Sequence, residues 1–153
     1  MPFDDKEMKF DEGWNQYILT KDYVLNHAMV DEEQESYFRR MKNFDRMLRR
    51  ASDDIYRYVY RHSRRNAIPV KQYMMNEDET IRPFVKRAML AQMEYYMTMA
   101  APLVKMTHGL DFERMRFHPL EELRGARAIS PDAEDILHEA PYLMYSGHMW
   151  DYR

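Results

Sequence analysis

The chain has six residues suited to holding a metal or moving a proton at neutral pH: His27, His62, His108, His118, His138 and His148. No two of them stand at helical ligand spacing. Asp135 to His138 forms a single D-x-x-H, whereas a carboxylate-bridged di-metal bundle needs two E-x-x-H elements and two further glutamates. Cysteine is absent, which removes disulfides, thiol catalysis and cysteine-based zinc sites. There is no glycine-rich phosphate loop, no G-x-S-x-G and no H-E-x-x-H. A Ser/His/Asp set gathered from distant residues is the enzymatic arrangement left open, and nothing points to one. The expectation is a protein that is not an enzyme and uses neither metal nor cofactor.

Charge and apolar surface are more informative. Residues 1–36 carry ten Asp/Glu and three Lys, a net of −7, while residues 37–65 carry ten Lys/Arg against three Asp, a net of +7. Residues 66–107 come to +1 and residues 108–153 to −4, so the overall −3 hides blocks of opposite sign. Arg39, Arg40, Arg46, Arg49, Arg50, Arg57, Arg61, Arg64 and Arg65 dominate the basic block. Three readings fit them. They form the solvated side of an amphipathic helix; they meet an acidic face of another subunit or partner; or they contact phosphates, with Tyr56, Tyr58 and Tyr60 available to stack on bases.

The C-terminal segment YLMYSGHMWDYR is apolar and aromatic where frayed polar residues are usual. Tyr142, Leu143, Met144, Tyr145, Met149 and Trp150 are its candidate anchors. Either they cover a groove of their own domain or they insert into another subunit or partner, the use that Tyr, Trp and Met together favour. Gly147 would let such an arm bend.

These groups are positioned by elements read from periodicity. Residues 1–19 are expected to be irregular, with Gly13 as a break and Phe3, Phe10, Trp14 and Tyr17 as anchors. Thr20 suits the N-cap of a short helix from Lys21 to about Met29. From Glu32 to His62, residues Tyr37, Met41, Phe44, Leu48, Ala51, Ile55 and Tyr58 recur at alternating steps of four and three, predicting one long helix of roughly 45 Å. Residues 66–79 read as a connector. Thr80 then caps a largely buried helix that tolerates Pro83 in its first turn and ends or kinks at Ala100-Ala101-Pro102. Residues 107–128 have no clean period and are expected to form an irregular or hairpin insertion. Ser130-Pro131-Asp132 starts a last short helix, and Pro141 stops it. The predicted fold class is all-α: a small helical bundle with one long helix, the insertion at about 107–128, and an extended C-terminal arm. Its division is an N-terminal extension (1–19), a helical domain (20–140) and the arm (141–153).

Composition agrees with a single globular domain: 153 residues, 45% hydrophobic, 32% charged, only 4 Gly and as many as 15 Met. Methionine in that quantity fits either a soft helical core or an adaptable contact surface. No run approaches the roughly 18 apolar residues of a membrane span. The acidic N-terminus lacks an apolar signal core, so synthesis in the cytoplasm is expected.

Four segments, in this order, resemble the head-tail connector (adaptor, or head-completion) proteins of tailed bacteriophages. Thr20 to Val24 (TKDYV) is similar to that group's first short helix, and Phe44 to Tyr58 (FDRMLRRASDDIYRY) to its long helix. Ile81 to Tyr96 (IRPFVKRAMLAQMEYY) is similar to the helix that follows. Ser130 to Leu137 (SPDAEDIL), with Tyr142 to Gly147 (YLMYSG), is similar to the final helix and apolar arm. The chain departs from the group in continuing past Gly147 and in its first 19 residues. The resemblance implies a structural virion protein of the neck, made in the host cytoplasm. It would form a homo-oligomeric ring, commonly dodecameric, docked on the portal protein and joined to a stopper or tail protein, with DNA passing non-specifically through the channel and no membrane involved. It implies that the arm residues Tyr142, Leu143, Met144, Tyr145, Met149 and Trp150 engage the portal, and that the nine arginines serve the subunit contact or the channel. The alternative from another class is a small helical nucleic-acid-binding regulator that uses the arginine-rich helix.

Overall fold

A short hairpin, not irregular chain, forms the first described residues of the domain. In the computed structural model, which describes residues 5–62, 77–106 (100–106 as backbone only), 129–141 and 143, strand β1 (Met8–Asp11) pairs antiparallel with β2 (Gln16–Leu19). The register sets Met8 against Leu19, Lys9 against Ile18, Phe10 against Tyr17 and Asp11 against Gln16. The Asp11 carboxylate accepts from the Gly13 N–H at 3.0 Å and the Asp11 carbonyl from the Trp14 N–H at 3.1 Å, which turns the chain back. Asn15 adopts the left-handed region at φ 52, a conformation Asn tolerates. The protein is therefore mostly helical with a small two-stranded sheet, and the all-α expectation is corrected. The hairpin was hidden because Gly13 marks its turn and the strands are only four residues each.

Helix α1 (Lys21–His27) starts as expected, with the Thr20 hydroxyl accepting from the Tyr23 N–H at 3.3 Å. The predicted long helix is corrected to two. Helix α2 (Glu32–Arg40), capped by Asp31, stops at Met41, whose backbone is extended at φ −68, ψ 124. Helix α3 (Phe44–His62) then begins afresh, with the Asn43 carbonyl accepting from the Arg46 N–H. The break is satisfied from outside: the Lys21 ammonium donates to the carbonyls of Arg39 (2.8 Å) and Met41 (3.1 Å) and lies 5.4 Å from the Phe44 ring centre. The apolar stripe runs through the break without a change of spacing, so periodicity could not reveal it.

Asp78 takes the capping role expected of Thr80, accepting from the Thr80 N–H on its side chain and from the Ile81 and Arg82 N–H groups on its carbonyl. Helix α4 (Arg82–Met106) follows and is helical through Pro102, where an end or kink was expected. Helix α5 (Pro131–Glu139) is capped by Ser130, whose hydroxyl accepts from the Ala133 N–H. The core lies where α3, α4 and α5 pack together, with β2 against α3 and α4. Phe44, Leu48, Ile55 and Val59 of α3, Val85, Met89 and Met93 of α4, and Ala133, Leu137 and Leu143 all belong to one buried cluster. Buried Met8, Met41, Met47, Met89, Met93 and Met97 place much of the methionine excess in this core. The expected insertion at 107–128 lies outside the described residues.

Candidate functional site

One face of the hairpin is open only at its turn end, since Met8 and Leu19 on that face are buried while Phe10 is exposed. Its other face holds Gln16 and Ile18 against the domain, with Lys9 3.7 Å from Asp45 and Arg49 Nε donating to Asp11 at 2.6 Å. The Tyr17 carbonyl accepts from the Ser52 hydroxyl at 3.0 Å and the Tyr56 hydroxyl at 3.3 Å. At that end Phe10 and Tyr17 meet edge to face at 5.0 Å, and Trp14 lies in the turn between the strands. Phe10 is 43% exposed and Trp14 45%. Large rings held this far out on an anchored hairpin make it a candidate interaction surface.

A second feature is concave. A cleft of about 530 Å³ lies between residues 5–7 and α1, with Asp5, Glu7, Asp22, Tyr23, Asn26 and His27 in its lining. The Tyr23 and His27 rings stack at 4.2 Å, and the Tyr23 carbonyl bonds His27 Nδ1 at 2.8 Å. Lys86 pairs with Glu7 and lies 5.4 Å from the Tyr23 ring centre.

The third feature is internal. Asp54 on α3 accepts from the Tyr96 hydroxyl on α4 and has Arg57 at 3.9 Å. One turn before Tyr96, the Gln92 side-chain oxygen accepts from the Ser130 N–H at 2.8 Å, so this polar seam also fixes the start of α5. Burial pushes the Tyr96 phenol up, and the neighbouring Asp54 carboxylate pushes it further. Burial likewise raises Tyr56. Both phenols act as hydrogen-bond donors, Tyr56 to the Tyr17 carbonyl and Tyr96 to Asp54. Sequence reasoning missed this seam. Its visible signal was a Gln and an Asp set among core positions of two helices.

The predicted site residues fall into several situations. Arg39 pairs with Glu35 at 2.7 Å, Arg49 with Asp11, and Arg57 with Asp53 at 2.5 Å. Arg40 Nε donates to the Ser36 carbonyl at 3.2 Å, and Arg50 lies within electrostatic reach of Tyr96. Arg46 and Arg61 are exposed and make no ion pair among the described residues, while Arg64 and Arg65 lie outside them. Splitting the long helix divides the basic block: Arg39 and Arg40 end α2, and the others through Arg61 lie along α3. Leu143 is 1% exposed and belongs to the domain's own buried cluster. It is therefore not a free docking residue. The other arm candidates, Tyr142, Met144, Tyr145, Met149 and Trp150, lie outside the described residues.

His138 of the D-x-x-H bonds the Tyr58 hydroxyl at 2.9 Å, tying α5 to α3. Among the described residues no three His, Asp or Glu side chains group to hold a metal, and no helix is long and apolar enough to cross a membrane. Compared with family models, curated proteins and solved structures, the chain finds no match.

Proposed function

We propose that this chain is a structural subunit of a multi-copy assembly, and specifically a ring-forming head-tail connector of a tailed bacteriophage, seated on the portal and joined to a stopper or tail protein. The observation that carries the reading is the exposed aromatic face of Phe10 and Trp14 on a hairpin firmly tied to α3. A small domain that completes its own core has no internal need to hold two such rings in water, whereas an interface has. Further support comes from α1, α3, α4 and α5, which fall on the segments that carry the family resemblance. Intramolecular ion pairs at Arg39, Arg49 and Arg57 leave fewer free cations for a nucleic-acid regulator.

The burial of Leu143 moves the start of a docking arm to residue 144. A chain ending at residue 143 should therefore stay folded, with an unchanged helical circular dichroism spectrum, yet fail to join the portal. Electron micrographs of full-length and shortened protein, alone and mixed with portal, test this. Normal portal attachment by the shortened chain sinks the arm role. Absence of any multi-copy particle from the full-length chain, alone and with portal, sinks the connector reading.

A further inference from the structure

The elbow between α2 and α3 has no local cause. Met41, Lys42 and Asn43 include neither Pro nor Gly, and the apolar stripe keeps its spacing from Tyr37 through Met41 and Phe44 to Leu48. A continuous helix would give the Arg39 carbonyl to the Asn43 N–H and the Met41 carbonyl to the Asp45 N–H. Neither bond is made here. The Lys21 ammonium takes both carbonyls instead, at 2.8 and 3.1 Å, and lies 5.4 Å from the Phe44 ring centre. One side chain of α1 therefore occupies the two acceptors that would otherwise join α2 to α3.

The elbow also chooses which side of α2 is buried. Phe38 is fully buried and meets Phe44 edge to face at 6.4 Å, whereas Tyr37 is only half-buried. In an unbroken helix, residues six apart lie on different sides, so that ring pair would separate. Tyr37 would then continue the stripe of Met41, Phe44 and Leu48. Helix α2 thus carries two apolar sides, Phe38 for the bent form and Tyr37 for a straight one. Two packings available to one sequence are the raw material of a switch.

We propose that Lys21 is the latch of a helical elbow: with its ammonium in place residues 32–62 form two helices, and with that donor removed they run as one. The latch is independent of the assembly reading above. A chain without cysteine allows clean labelling, so Glu33→Cys and Arg61→Cys, both at exposed positions, carry spin labels whose separation is measured in full-length protein. A straight helix sets these positions about 42 Å apart at 1.5 Å per residue, and the bent form holds them closer. Lys21→Met keeps the apolar stem and removes the donor. It should bring the separation to the straight value and slow amide exchange at Asn43 and Asp45 by about tenfold or more. Lys21→Arg keeps a multiple donor and should leave both readings as in the unaltered chain. Lys42→Pro, added to Lys21→Met, should restore the bent separation. Met41 is already extended, as suits a residue before proline, and proline has no N–H with which to continue α2. A Lys21→Met chain that keeps the bent separation and fast exchange overturns the latch, as does a proline variant that stays straight. Loss of helix by circular dichroism in Lys21→Met overturns it too, since the straight form holds more helical residues than the bent one.

Discussion

The polar seam between α3, α4 and α5 and the hairpin treat buried and exposed groups in opposite ways. In the seam, Asp54, Tyr96, Gln92 and Ser130 are all buried, and each has a hydrogen-bond partner in the seam. In the hairpin, Gln16 is 0% exposed and neither atom of its side-chain amide has a partner among the described residues, while Phe10 and Trp14 stand in solvent. The first region is arranged for its own stability and for a unique packing of three helices. The second leaves an amide unpaired and keeps rings wet, both of which cost stability. That contrast is what the proposed assembly would account for.

The largest effect should come from the seam. Tyr96→Phe removes the hydroxyl that donates to the buried Asp54 carboxylate and leaves the packing volume intact. The loss should be about 1.5–3 kcal/mol, the range for a hydrogen bond to a charged group, read as a lower midpoint in urea unfolding. A midpoint that does not move would mean the seam is not what holds α3 to α4.

Two buried tyrosines, Tyr96 in the seam and Tyr56 bonded to the hairpin, set an alkaline limit. Tyr56 and Tyr96 are held protonated above their ordinary value, first by burial and, at Tyr96, also by Asp54. In the unfolded chain they ionise near pH 10. Their contribution is therefore complete below pH 10 and is lost as pH rises above it, by about 1.4 kcal/mol per pH unit for each tyrosine. Unfolding free energies at pH 9 to 11 should fall less steeply for Tyr96→Phe than for the unaltered chain. Parallel slopes would show that Tyr96 ionises freely in the folded state.

The hairpin should respond with the opposite sign. Gln16→Met replaces an unpaired amide by an apolar side chain of similar length, and stability should rise by about 1–2 kcal/mol. A fall instead would place a partner on that amide and erase the contrast between the regions.

The parts of the fold that could be read from sequence were those written in local chemistry. Thr20 and Ser130 mark helix starts because a side-chain oxygen beside a free N–H acts without knowledge of the rest of the chain. The stripe from Met41 through Phe44, Leu48, Ala51 and Ile55 identified core residues correctly, since burial follows period. It misplaced the helix boundary because the break depends on Lys21, twenty residues away, satisfying the Met41 carbonyl. The hairpin failed for a similar reason. Four-residue strands carry little period, and what holds them is the Arg49–Asp11 pair and the Ser52 and Tyr56 hydroxyls on α3. Of the candidate site, Phe10 and Trp14 were expected to anchor the first residues, yet both stand in solvent, because exposure is a property of the folded surface and no residue type declares it.

Trp14 gives the smallest effect on folding and the sharpest test of what the contrast means. The ring is already 45% exposed and lies in a turn held by backbone bonds from Asp11. Trp14→Ser should therefore change unfolding free energy by about 1 kcal/mol or less. If the open face serves assembly, the same substitution removes an anchor of the type that dominates interfaces, and association in the multi-copy particle should weaken by about thirtyfold, equivalent to about 2 kcal/mol. The two numbers come from one variant, by urea unfolding and by sedimentation with and without portal. A substitution that unfolds the domain while assembly of the folded fraction stays intact would reverse the assignment: the ring would then be part of the subunit's own stability, and the hairpin no different in kind from the seam.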